Sequence, residues 1–420
     1  MKHQRILAAG AGAVGLLYAL GAQAVELQAG DWTFSANGNI NVHYIYSTCE
    51  DAPEAIATVG SACAADADGN DTNSSVSNGL LPAALVLGAG TEQDGYDLSV
   101  TFGFYPGISS NDGGSPNLQQ GAVGGVGTNV ALATTGLDVR QVFISIGTDN
   151  YGSFKLGRDF GLFGFDAIIN DMTIPGVGVP GAMATGAPAN TSLGSIGFGY
   201  IYTDTLGQMN YTTPAFGGAT FTAGIFDPID PLIGGQGGAA NNSAPGFHGK
   251  LAWAGDLGGM GAYLSAAFIS QEQISVGGVG NDYTSTGFDV YGRIELAGFK
   301  ASAYYYTGSG MGTTGLFVLS DDGAGNERDS DGYLLQLTYP VGKTTFGVNY
   351  GVSNLDHANS ADATAVPNLL ETNSKITGGI YHALTSNLTL LFEINDVETE
   401  AHNGASNSAQ SANIGAFMSF

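Results

Sequence analysis

The chain has 420 residues, with 37 Asp and Glu against 11 Lys and Arg. A formal charge of −26 argues against a nucleic-acid binder, because phosphates require basic partners. Sixty-seven glycines would suit a flexible polymer, but 19 Tyr and 21 Phe argue against disorder, and no run of about 18 apolar residues beyond the N-terminal segment leaves room for a membrane-spanning helix.

The first element is a leader. Lys2 and Arg5 precede an apolar run from Ile6 to Leu20, and Ala22-Gln23-Ala24 is a small-x-small cleavage site. This pattern predicts a signal peptide over residues 1–24, removed on export. An uncleaved anchor is the alternative, disfavoured by a short run rich in Gly and Ala. Without the leader, nine basic residues face 37 acidic ones, a charge of −28. Residues 25–420 then form one domain.

The first strand is predicted over 31–46. Trp32, Phe34, Ala36, Ile40, Val42, Tyr44 and Tyr46 share one face, and Thr33, Ser35, Asn37, Asn39, Asn41 and His43 the other. A side-chain period of two makes this a strand with one apolar face. Trp and Tyr at the ends of that face fit a strand in contact with lipid. Cys49 and Cys63 follow, the only cysteines. Export favours a disulfide between them, closing a short loop for about 3 kcal/mol. Two cysteines do not complete a zinc shell. Asp66 to Asp71 has the composition of a calcium loop, but its Gly is misplaced for that geometry.

Fifteen further alternating segments lie near 79–90, 94–105, 138–148, 152–158, 204–213, 217–226, 246–254, 259–270, 285–297, 299–307, 331–340, 344–353, 373–383, 387–397 and 410–420. The connections alternate long and short, the longest inner one being 159–203. Tyr333 and Tyr339 bracket Leu335 and Leu337, about 20 Å apart along a strand, close to the apolar height of a membrane barrel. The chain ends with Ile414, Ala416, Met418 and Phe420 on one face. Backbone groups in lipid must all be paired, so the strands must close on themselves. The expected fold class is all-β: a transmembrane antiparallel β-barrel of sixteen strands, with long outer loops and short periplasmic turns. A soluble sandwich is the alternative; it needs neither aromatics at both ends of its apolar strips nor a leader.

Two stretches carry a family resemblance. Arg140-Gln141-Val142-Phe143-Ile144-Ser145-Ile146-Gly147 followed by Tyr151-Gly152-Ser153-Phe154-Lys155-Leu156-Gly157-Arg158 is one, and Asn210-Tyr211-Thr212-Thr213-Pro214-Ala215-Phe216-Gly217-Gly218 is the other. In these and in overall pattern the chain resembles the Gram-negative general porins, trimeric and sixteen-stranded. The resemblance implies a third loop, near 159–203, folded into a water-filled channel. It implies a homotrimer in the outer membrane, in contact with its lipid, passing small hydrophilic solutes and ions. It also implies that Phe420 is read by the barrel-assembly machinery. The long first loop with its cysteine pair and the scarcity of basic residues depart from the family pattern.

A barrel this wide cannot be filled by its own side chains. Asp159, Asp166 and Asp171 of the long segment are therefore candidates for a constriction, with turn capping as the alternative for each. Parity puts Lys155, Lys250, Arg293, Lys300 and Lys375 on lumen faces, with Asp289, Glu295 and Glu393. Arg158 falls outward by strict alternation, unless a bulge at Gly157 turns it inward. The acidic balance predicts a preference for cations. A solute-selective channel, guided by Tyr291, Tyr304 and Tyr306, is the competing reading. A structural or adhesive surface barrel is a further one. Asp321, Asp322 and Asp329 to Asp331 could hold divalent ions at the rim. No local pattern suggests a catalytic residue, a resident metal or a cofactor.

Overall fold

The computed structural model describes residues 25–50, 54–60, 62–63, 71–108, 137–181, 191–231, 243–275 and 280–420. The predicted leader and the Asp66–Asn70 part of the calcium-like run lie outside them.

The described strands are β1 (Val25–Ala29), β2 (Trp32–Cys49), β3 (Thr72–Ser77), β4 (Ala84–Gln93), β5 (Tyr96–Pro106), β6 (Leu137–Thr148), β7 (Gly152–Phe160), β8 (Thr205–Thr212) and β9 (Ala219–Phe226). They continue with β10 (Gly246–Asp256), β11 (Gly261–Gln273), β12 (Tyr283–Leu296), β13 (Phe299–Ser309), β14 (Asp329–Val341), β15 (Thr344–Leu355), β16 (Leu370–Ala383), β17 (Leu388–Ala401) and β18 (Ser406–Ser419). Each pairs antiparallel with its neighbours, and β18 closes the ring on β2. Eighteen segments make sixteen staves, because two staves are each built from two pieces. β3 and β4 lie one above the other along one flank of β2. On the opposite flank β1 continues β18: Ser419 is in register with Asn39 and Val25 with Ala36. Between them Phe420 exchanges two backbone hydrogen bonds with Gly38, at 2.9 and 3.0 Å.

The strand expected over 79–90 is thus corrected to β4, which starts only at Ala84, and β3 is an added strand within the expected first loop. Residues 78–83 leave the wall and turn into the lumen, where Asn78 Nδ2 donates to Asn41 O and the Gly79 amide to Asn41 Oδ1. Further differences are extensions. β17 and β18 continue past the apolar band on the outer side, where Asp396, Glu398 and Glu400 replace Leu390, Phe392 and Ile394 on the outward face. A strand above the lipid keeps its pairing but loses its apolar signature.

Alternation sorts the wall into two surfaces. Ile40 is 56% exposed, whereas the neighbouring His43 is wholly buried. The same inversion holds along β17, with Phe392 outward and Glu393 buried. An apolar outer surface around a polar interior is what a lipid solvent demands. Aromatic rings mark its inner edge. Phe154 packs on Tyr211 at 5.0 Å and Phe299 on Tyr339 at 4.2 Å. Tyr333 and Tyr350, 6.1 Å apart, mark the outer edge.

Cys49 and Cys63 form a disulfide with Cα atoms 5.9 Å apart. It ties the first long loop to the top of β2. Denatured but unreduced protein should therefore show no titratable thiol, and two after reduction. Two thiols before reduction would contradict the bridge.

Candidate functional site

The connection from β7 to β8 enters the barrel. It forms a one-turn helix, α1 (Phe165–Ile169), preceded by Gly164 in the left-handed region at φ 74°. The Gly164 amide donates to Asp289 Oδ2 on β12 at 2.6 Å, and Tyr304 Oη donates to the same oxygen at 3.3 Å. Asp166 reverses the arrangement, a loop carboxylate meeting wall donors. Lys250 Nζ lies 3.2 Å away, and the hydroxyls of Tyr263 and Ser265 donate at 3.1 and 2.6 Å. Next, Asn170 Oδ1 accepts from Arg293 Nη1 at 2.7 Å. Gln336 of β14 clamps both sides of the turn, donating to Asn170 O and accepting from the Met172 amide.

Asp171 is buried and acts inside the loop. It accepts from the amide and hydroxyl of Thr173, the Ser195 amide, Tyr200 Oη and Asn349 Nδ2. Glu393 of β17 holds the following residues. It accepts from the amides of Val177 and Gly178 at 2.8 and 3.0 Å, from Tyr381 Oη at 2.7 Å and from Asn413 Nδ2 at 3.0 Å. Lys375 Nζ donates to Gly194 O at 2.8 Å, Asn373 to Gly197 O, and Ser353 Oγ accepts from the Gly199 amide. The segment is thus fixed to β12, β14, β15, β16 and β17, and the Leu80 amide reaches it from the opposite side through Gly176 O.

Close approach makes two glycines necessary. A Cβ at Gly176 would overlap the Glu393 carboxylate, and one at Gly351 the Phe198 carbonyl. Apolar packing adds to the polar contacts. Phe163 meets Tyr306 edge-on at 6.4 Å and Tyr200 meets Tyr304 at 6.5 Å. Each such ring buried is worth about 1.5–3 kcal/mol. Tyr304 and Tyr306 are therefore seats for the loop; no solute reaches them while it is docked.

The predicted constriction residues are thereby placed. Asp159, Asp166, Asp171 and Asp289 are buried and engaged, Asp159 by Lys155 and Gln141. Arg293 is shared between Asn170 and Glu295, 3.1 Å away. Glu295 stays half exposed at the inner rim. Arg158 keeps unbroken register, opposite Val142 on one side and Gly207 on the other. Gly157 has φ 132° yet makes no bulge, so Arg158 remains on the face of Phe154 and Leu156. Gln336, Asn349, Ser353 and Asn373, unremarked in the sequence, complete the docking. Their inward parity was readable, but their partners were not. Between the loop and the inner end lies a cavity of about 460 Å³, touched by Met172, Lys300, Thr338 and Phe417.

Outside, the loops interlock. The Tyr202 amide donates to Thr314 O, and Thr314 Oγ1 to Val59 O, each at 2.8 Å. Val59, Val318, Leu319, Leu355 and Leu369 form a small apolar core there. Of the rim carboxylates considered for divalent ions, Asp322 accepts from the Ala324 and Asn326 amides and from the Asn326 and Asn359 side chains, and Asp331 from Asn354 Nδ2.

The comparisons with known proteins agree with this geometry. A family model described as Gram-negative porin matches residues 8–402. The outer membrane channel DcaP of Acinetobacter baumannii is similar in fold, with TM-score 0.65 and 12% identity, over 94% of this chain and 99% of that one. Salmonella typhi OmpF, solved with daunomycin, gives TM-score 0.56 and 11% identity over 94% and 100%. Pseudomonas putida OprB gives 0.55 and 12% over 93% and 94%. No curated protein matches the sequence. With its closed sixteen-stave wall and polar interior, the chain belongs to the Gram-negative porins and resides in the outer membrane.

Proposed function

We propose that the protein is a passive diffusion channel for small hydrophilic solutes and ions, assembled as a homotrimer, with cations favoured. One observation carries the channel reading: a sixteen-stave wall too wide to be filled by its own side chains, narrowed by a single loop held on polar wall residues. Asp166, Asp171, Arg293 and Asp289 shape that constriction by fixing the loop, and Asp159 with Lys155 braces β7 where the loop leaves it. The cation preference rests on other carboxylates. Glu371, Asp356, Asp329, Glu398 and Glu400 are exposed at the outer end. Among the described outer loops the one Lys or Arg is Arg328, locked to Asp362. These groups surround the mouth from the outward side of the wall, and an acidic rim without opposing cations concentrates cations around the entrance. We also assign residues 1–24 to a cleaved leader, supported by the basic start, the apolar run and the small-x-small site at Ala22-Gln23-Ala24, and Phe420 to assembly, supported by its place in the closing pair.

Purified protein in a planar bilayer should conduct, in steps of three for a trimer. A salt gradient should give a reversal potential of cation sign. The preference should shrink at high salt, since the Debye length falls from about 10 Å at 0.1 M to about 3 Å at 1 M. A reversal potential of anion sign overturns the charge argument, and absence of conductance overturns the channel.

A further inference from the structure

The cavity beneath the loop has an unusual distribution of charge. Among the described residues its only lining carboxylate is Asp171, whose oxygens are taken by donors of the loop and by Asn349. Among them, too, its only lining cation is Lys300, which forms no salt bridge. The nearest acid, Glu295, is in register with Lys300 but is held by Arg293 at 3.1 Å. Arg293, Glu295 and Lys300 together keep one positive charge. Thr338 is paired in register with Lys300, so the two side chains share the inward face and both line the cavity. The loop side is mainly apolar, with Met172, Ile174 and Pro175 beside Asn170; Phe417 adds an aromatic face to a wall that is otherwise polar, with Ser302, Gln336, Thr345 and Thr389. A volume of about 460 Å³ lies within the range of small-ligand sites.

We infer that this cavity is a subsite for a small monocarboxylate with an apolar body, its carboxylate on Lys300 and Thr338 and its body between the loop side and Phe417. One free cation matches one carboxylate. The hydroxyl supplies a second donor, and the mainly apolar loop side disfavours a solute charged along its whole length. A hydrogen bond from an ammonium to a carboxylate is charge-assisted and roughly twice as strong as a neutral one. The site opens toward the short-turn end, away from the acidic outer mouth, so an anion reaches it without passing those carboxylates. This inference deepens the channel reading and rests on it for its role in transport, though the binding itself does not.

The test is calorimetric titration of benzoate into the detergent-solubilised protein, with benzamide and benzylammonium as neutral and cationic analogues. Saturable benzoate binding is expected, with both analogues weaker. Lys300→Gln should weaken benzoate on the order of tenfold, the scale of a hydrogen bond to a charged group, and Lys300→Arg should retain most of it. In bilayers, benzoate added at the short-turn side should reduce potassium current in the wild type and not in Lys300→Gln. Equal affinity for benzoate and benzamide overturns the inference without any variant, and so does equal benzoate affinity in wild type and Lys300→Gln. A conducting protein that binds no benzoate defeats this inference alone. A protein that binds benzoate but never conducts defeats the channel reading alone.

Discussion

Glu393→Ala should destabilise the folded barrel by on the order of 3 kcal/mol and raise its single-channel conductance. The side chain is wholly buried and satisfies four donors at once, two of them loop amides. Each donor left unsatisfied in a dry site costs about 1–3 kcal/mol, and some of that is recovered if the loop moves and water enters. That recovery is the reason to expect a change in conductance as well as in stability. Residues 176–178 would lose their wall contact, while Lys375 and Asn373 would still hold residues 194–197. The loop should therefore come away at one end, widening the lumen and adding current noise. Glu393→Gln keeps the volume and can set its oxygen on the three N–H donors and its NH2 on Tyr381 Oη, losing chiefly the charge assistance, so it should fall between alanine and wild type. Thermal unfolding in detergent and single-channel recording check both parts. A Glu393→Ala protein with unchanged conductance and melting would show that the loop is held elsewhere.

The apolar half of this fold was readable because lipid imposes a repeating rule. Ile40, Val42 and Tyr44, or Leu390, Phe392 and Ile394, state their face in the simplest possible code. The rule lapses wherever lipid does. Val25–Ala29 was missed because a short end-on strand has no long alternation. Residues 78–83 read as wall because Leu80, Leu81 and Ala83 are apolar, although they are buried beneath the loop rather than in lipid. The same limit governs the site. Alternation assigned Asp289, Glu393, Lys250 and Lys375 to the lumen, but parity fixes a face and not a partner. Whether an inward carboxylate meets water or a loop amide depends on the path of residues 161–203. That path is set by contacts distant in sequence and by glycines such as Gly351, where only a missing Cβ allows the approach. The acidic total of the chain likewise did not reveal that its inward carboxylates are consumed in docking while its outer ones face solvent.

Arg328→Met should cost about 3–5 kcal/mol, the scale for removing one partner of a buried ion pair. Arg328 and Asp362 are both buried, joined by two hydrogen bonds of 2.7 and 2.8 Å. Arg328 belongs to the loop between β13 and β14. Asp362 belongs to α2 (Ser360–Ala365), in the loop between β15 and β16, where Asn359 caps the helix by accepting from the Ala361 and Asp362 amides. The pair thus fastens two outer loops over the apolar group of Val318, Leu319 and Leu369. Burial alone would push the Asp362 carboxyl up, but hydrogen bonds from Arg328 and the Ala358 amide, with the Arg328 charge, hold it below the ordinary value of 3.8. A carboxyl depressed in the folded state contributes stability that is complete above its unfolded value and is lost as pH falls through the folded one. Protection against hydrogen exchange, each rate taken relative to that of an unstructured amide at the same pH, should therefore hold in residues 360–365 and 316–320 of the wild type from neutral pH down to about 4 and fall only below it. The variant should respond in the opposite sense. Without Arg328, burial dominates and raises the Asp362 carboxyl, so mild acidification neutralises a stranded charge and raises protection between neutral pH and about 5. Replacing both residues, Arg328→Met with Asp362→Leu, should recover much of the loss and abolish this pH response. A single variant protected as well as wild type at neutral pH, or less protected on mild acidification, would remove Arg328 and Asp362 from the fastening of the outer loops.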